Sequence, residues 1–100
     1  MGEIPASFKT ARPLSVSRTE SFSRDFRGLP KDIQERAEKA IVLLAQDPRY
    51  PSLRTKKMRG PGGIWEASVS ISYRITFQWV GEKLILRRIG THDILKAESR

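Results

Sequence analysis

The stretch IWEASVSISYRITFQW, residues 64–79, alternates between apolar and polar side chains over most of its length. Trp65, Ala67, Val69 and Ile71 interleave with Glu66, Ser68 and Ser70. After a short break, Tyr73, Ile75, Phe77 and Trp79 interleave with Arg74, Thr76 and Gln78. A period of two, rich in β-branched and aromatic residues, predicts two strands that each bury one face. Gly81-Glu82 then offers a tight turn, and Leu84, Ile85 and Leu86 lead into Arg87-Arg88-Ile89-Gly90 as a third strand. Short connections between consecutive strands favour an antiparallel meander.

The flanking sequence supplies what covers this sheet. Ahead of it, Ile33, Ala37, Ala40, Ile41 and Leu44 form an apolar stripe at helical spacing. Pro30 suits the first turn of that helix, Asp32 and Glu35 favour its positive end, and Asp47-Pro48 stops it. Phe22 and Phe26, four residues apart, predict a short helix within 20–27 that Gly28 would end. Leu14 and Val16 alternate with Ser15 and Ser17 as a short N-terminal strand, and a further strand is expected through Leu53–Met58. Residues 1–13 read as a flexible arm before a single domain over 14–100, and Thr91–Arg100 as a tail or a final helical turn. The expected architecture is α+β, with the N-terminal strand and two helices on one face of a curved antiparallel sheet.

Composition narrows the chemistry. The 100 residues contain no cysteine, which excludes disulfides, thiolate metal sites and cysteine nucleophiles. One histidine and no close carboxylate pair leave too few ligands for a metal, and no Gly-rich loop opens a helix as a phosphate cradle. Gly60-Pro61-Gly62-Gly63 reads as a turn between strands. No apolar run approaches the roughly 20 residues of a membrane-spanning helix, and the N-terminus has no secretory signal, so the expected address is the cytoplasm.

The net charge is +8, and its distribution is uneven. Residues 1–47 hold eight Lys/Arg against seven Asp/Glu, whereas residues 48–100 hold eleven against four. A one-sided positive field draws polyanions. Because the basic half reads as strands and not as an amphipathic helix, nucleic acid fits it better than a membrane surface.

Arg54, Lys56, Lys57 and Arg59 form a basic run; Arg74 sits mid-strand opposite in register to the aromatics; Arg87 and Arg88 end the next strand; His92 follows. In a meander these converge on the side of the sheet away from the helices, as a floor able to grip phosphate. Each also has a bland explanation. A basic run is commonly a solvated face, Arg74 could be a surface partner of Glu66, a lone histidine is commonly incidental, and Trp65 and Trp79 suit the core better than base stacking. The residues alone stop at a basic α+β domain suited to RNA.

The order of segments goes further. SFSRDFRGLPKDIQERAEKAIVLLAQDP, PSLRTKKMRG, IWEASVSISYRITF and ILRRIGTHDIL together resemble the RelE/ParE toxin superfamily, from Val16 to Leu95. The most specific parts are Leu53, Lys56, Met58 and Gly60 in their spacing, the Trp65-led strand, and Tyr73-Arg74 before an apolar strand. The resemblance implies a RelE-like fold and the toxin component of a type II toxin–antitoxin system. The toxin would be a ribosome-dependent, metal-free mRNA endoribonuclease that inhibits translation and needs no cofactor. It further implies that Arg74 holds the scissile phosphate, that Lys56, Lys57 and Arg59 contact nucleic acid, and that His92 donates a proton to the leaving group. Implied partners are a cognate antitoxin, mRNA, and the ribosome near the 16S rRNA of the A site, with higher-order toxin–antitoxin assembly and no membrane. The chain departs from the pattern at Ser68, where many relatives carry Arg or Lys. It has no tyrosine after His92, Asp93 being the nearest polar group, and Glu66 is the nearest carboxylate for a general base. Two other functions stay open: a ParE-like gyrase inhibitor, and a non-enzymatic RNA-binding member.

Overall fold

The computed structural model describes residues 15–60 and 62–98; the proposed arm and Leu14 lie outside them. Strand β1 (Ser15–Arg18) runs into helix α1 (Glu20–Arg27) and helix α2 (Lys31–Gln46). A 3-10 turn (Pro51–Leu53) and the two-residue strand β2 (Lys56–Lys57) follow. The meander is β3 (Trp65–Ser68), β4 (Tyr73–Val80) and β5 (Lys83–Thr91), and helix α3 (Asp93–Glu98) closes the described chain. The sheet order is β1-β5-β4-β3-β2.

Capping explains the helix starts. Thr19 Oγ1 accepts the Phe22 N–H at 3.0 Å, as a side-chain cap must where the first helical N–H groups lack partners. The same hydroxyl donates to the Arg87 carbonyl at 2.8 Å, which ties α1 to β5. Pro30 stands just before α2 and its carbonyl takes the Ile33 and Gln34 N–H groups. The expected stripe then turns inward: Ala37, Ala40, Ile41 and Leu44 are buried with Phe22, Leu53, Trp65, Ala67, Ile75, Phe77, Leu84, Leu86 and Ile89 in one core. Trp65 and Trp79 meet edge to face at 4.7 Å, so Trp65 is a core residue and Trp79 packs against that core.

Four details differ from the expectation. The sheet is mixed, because β1 lies parallel to β5. Parallel neighbours require a long crossover, and α1, α2 and the meander supply it. The strand expected through Leu53–Met58 shrinks to Lys56–Lys57, since Leu53 is drawn into the core by the 3-10 turn. β3 stops at Ser68, since the Val69 N–H already bonds the Tyr73 carbonyl and closes a turn that leaves Ile71 90% exposed. Finally, the side of the sheet away from α1 and α2 is not bare. α3 lies on it, with Glu98 bonded to Thr76 and Arg87.

A β-bulge sorts the paired arginines. Thr76 is registered with Arg88 while Phe77 faces Leu86, which leaves Arg87 as the extra residue of β5. Such an insertion re-aims neighbouring side chains. Arg87 turns to Gln78 and Glu98, whereas Arg88 grips Asp25 of α1 through Nε at 2.6 Å and Nη2 at 3.2 Å.

Candidate nucleic-acid interface

The face away from α1 and α2 is built from alternate positions of the meander: Glu66 and Ser68 on β3, Arg74, Thr76 and Gln78 on β4, and Arg87 and Gly90 on β5. α3 covers one part of it. A Cβ added at Gly90 would meet Ile94 Cγ2 at 2.9 Å, so only glycine lets the helix lie this close. Glu98, with 7% of its side chain exposed, accepts Thr76 Oγ1 at 2.7 Å and both edges of the Arg87 guanidinium at 2.9 and 3.1 Å. Burial pushes the Glu98 carboxyl up. The hydrogen bonds from Arg87 and Thr76, and the charges of Arg87 and Arg88, outweigh it and hold the group below its usual range.

The remainder stays open as two joined clefts. One, of about 230 Å³, is lined by Arg54, Lys56, Glu66, Ser68 and Arg74. The other, of about 560 Å³, is lined by Lys56, Lys57, Met58, Arg59, Glu66 and Leu95. Lys56 and Glu66 belong to both. The Glu66 carboxylate faces Arg74 Nε at 3.7 Å and Lys56 Nζ at 4.0 Å, with only 11% of its side chain exposed. Both separations are too long for direct hydrogen bonds, so its lone pairs stay available to the cleft.

Arg74 lies in this wall and not in the helical core. Its Nη1 donates to the carbonyls of Ser70, Ile71 and Tyr73 at 2.9, 3.2 and 3.1 Å, which braces the β3–β4 turn and fixes the guanidinium. Nη2 donates no hydrogen bond to the described residues. Strand pairing places Arg74 opposite Gly90 and Tyr73 opposite Thr91. His92, the next residue, is therefore at the same end of the sheet as Arg74. It is exposed at the entry to α3, with exposed Asp93 after it, and its carbonyl accepts the Leu95 N–H.

The structure thus brings together Arg54, Lys56, Lys57, Arg59 and Arg74, with Glu66 and Ser68, and sets His92 and Asp93 at the adjoining rim. It separates Arg87 and Arg88 from that group. Arg87 shares the face but is held by Glu98. Arg88 is an anchor between β5 and α1: the Asp25 carboxylate, which also takes the Ile89 N–H, keeps its guanidinium charged more firmly than usual. Sequence reasoning missed Glu98 and Asp25. For Glu98 there was a signal, since Ile94, Leu95 and Glu98 share one side of a helix.

Among the described residues, no helix is long and apolar enough to cross a membrane. No family model matches the chain, and no curated protein sequence matches it. Solved structures do. The toxin–antitoxin complex RelBE2 of Mycobacterium tuberculosis superposes at TM-score 0.70 with 20% identity, over 84% of this chain and 97% of that one. YafQ of E. coli matches at TM-score 0.69 and 17% identity, over 82% and 97%. A mutant of the E. coli toxin RelE in the free state matches at TM-score 0.68 and 18% identity, over 88% and 95%. At 17–20% identity these likenesses are ones of fold, and the fold of this chain is the one that the RelE and YafQ toxin structures share.

Proposed function

We propose that the protein is the toxin of a type II toxin–antitoxin system and that it cuts messenger RNA on the ribosome, without a metal, to inhibit translation. The observation that carries this reading is the open cleft in which Arg54, Lys56 and Arg74 surround a single buried carboxylate, Glu66. An RNA phosphate entering it meets cations on three sides, Arg74 already fixed by the turn it braces.

The chemistry follows from the groups present. Glu66 takes the proton of a ribose 2′-OH, and that oxygen attacks the adjacent phosphorus. Arg74 Nη2 and Nε neutralise the developing charge on the phosphorane oxygens. The bond from phosphorus to the 5′-oxygen breaks, and His92 gives that oxygen a proton. The products are a 2′,3′-cyclic phosphate and a free 5′-OH. DNA, which lacks the attacking hydroxyl, is no substrate. Lys57 and Arg59 line the second cleft and hold the strand beyond the scissile phosphate. Asp93 follows His92 at the exposed rim, and Ser68 contributes only a hydroxyl to the cleft.

Action on translating ribosomes places the protein in the cytoplasm. RelBE2, the archaeal RelE–RelB pair and DinJ–YafQ are complexes of toxins with antitoxins. A cognate antitoxin is proposed for this chain too, as an acidic, unstructured arm that covers Arg74 and Lys56 and supports higher-order assembly. Induced expression with mapping of transcript 5′ ends tests the reading. Cuts inside translated codons, lost in Arg74→Ala, are expected. Intact transcripts with gyrase-dependent DNA breaks would move the protein to the ParE-like function. Toxicity unchanged in His92→Ala would favour a non-enzymatic RNA binder.

A further inference from the structure

Arg54 is the one non-glycine residue with a positive φ among the described residues, at φ 48° and ψ 44°. The left-handed region crowds any Cβ against the backbone, and residues that terminate a helical turn there are usually glycine or asparagine. The turn itself is required. Leu53 is 1% exposed in the core, the Arg54 N–H closes on the Pro51 carbonyl at 3.2 Å, and the chain must then double back into β2. Nothing in that backbone geometry asks for an arginine.

The side chain has no fold partner either. Arg54 is exposed, and its guanidinium makes no hydrogen bond or ion pair with the described residues, whereas Lys56 and Arg74 both lean on Glu66. It nevertheless lines the Arg74 cleft. Ser68, in register with Arg74 on the next strand, is too short to fill that space. Within this cleft three cations face one carboxylate, and Arg54 is the cation that carboxylate does not occupy.

We infer that Arg54 is a phosphate-gripping residue of the cleft, retained in a strained backbone conformation because that conformation delivers its guanidinium beside Arg74. The inference rests on the RNA-binding half of the proposed function and not on cleavage. Strained residues concentrate where a site needs a side chain aimed against local preference. Arg54 thereby lowers the stability of the free protein and raises its affinity for a single-stranded RNA backbone, by neutralising one phosphate.

Three variants separate strain from charge. Their melting temperatures are measured together with binding to a short labelled 2′-O-methyl RNA, which cannot be cut, over a range of salt. Arg54→Gly removes both strain and charge. It is expected to melt several degrees higher, to bind about tenfold more weakly, the worth of one charge-assisted contact, and to lose roughly 0.7 from the slope of log affinity against log salt. Arg54→Ala keeps the strain, so it should show the same binding loss with no gain in melting temperature. Arg54→Lys should keep most of the affinity and the full slope. Wild-type affinity and slope in both the Gly and Ala variants would make Arg54 an idle solvated cation and overturn the inference. A Gly variant no more stable than wild type would overturn the claim of strain. If the wild type binds with Arg54-dependent affinity but cuts no transcript, the nuclease reading fails and Arg54 keeps its role. A wild type with no affinity for RNA overturns both.

Discussion

Replacing Glu98 by glutamine removes one charge from the contact that holds α3 on the sheet, and its size can be worked out. Glu98 accepts two bonds from the Arg87 guanidinium, at 2.9 and 3.1 Å, and one from Thr76 at 2.7 Å. Charge-assisted bonds contribute about 1.5–3 kcal/mol each. Arg87 keeps 36% of its side chain in water, so solvent screening brings the pair to the low end. Glutamine can keep the Thr76 bond and one Arg87 bond. The expected loss is therefore about 2 kcal/mol, or roughly 10 °C in melting temperature for a domain of this size. The pH dependence is a second signature. The folded protein holds the Glu98 carboxyl below its ordinary value of 4.5. Its stabilisation is thus complete above that value and fades as pH falls through the lowered folded value. Thermal unfolding followed by circular dichroism should show the wild type far above Glu98→Gln at pH 7, with the gap closing in acid below pH 4.5. Equal melting temperatures at pH 7, or a gap undiminished in strong acid, would refute the placement of Glu98 against Arg87 and Thr76.

Glu66→Gln should act in opposite directions on binding and on chemistry. Removing the carboxylate that faces both Arg74 and Lys56 should tighten binding of the uncleavable RNA by severalfold, while single-turnover cleavage falls by about 10²–10⁴, the usual worth of a general base; unchanged cleavage would remove Glu66 from the reaction. Arg88→Gln should lower the melting temperature by roughly 5–10 °C through loss of the Asp25 grip, with the salt dependence of RNA binding intact. A reduced salt slope at unchanged stability would show that Arg88 meets RNA and not α1.

Elements whose register repeats were legible in the residues themselves. The period of two across Tyr73–Trp79 and the stripe Ala37, Ala40, Ile41 and Leu44 each name one inward face, and the structure buries Ile75 and Phe77 with that stripe, packs Trp79 against them and leaves Tyr73 half-buried. Orientation and long-range pairing were not legible. Four residues of β1 carry the same alternation whether they join β5 parallel or antiparallel, so the mixed sheet follows from the crossover and not from any local signal. Arg87 and Arg88 look alike in the sequence, and only the bulge, which depends on the partner strand, sends one to α3 and the other to Asp25. α3 was hidden by its length: six residues give too little period to distinguish a docked helix from a tail. The basic cleft was readable because Arg74 and Glu66 share one face by simple alternation, and β2 brings Lys56 opposite Glu66. The left-handed turn at Arg54 was not, since arginine carries no preference for it.

The proposed reaction begins with attack by a 2′-hydroxyl within the Arg54–Arg74 cleft. The direct measurement uses purified protein, translating ribosomes and a message carrying either ribose or a single 2′-deoxyribose at the mapped cut. The ribose message should yield an upstream fragment ending in a 2′,3′-cyclic phosphate and a downstream fragment with a free 5′-OH, and the deoxy message should stay whole at that position. Cleavage of the deoxy message, or a 5′-phosphate on the product, would contradict the mechanism.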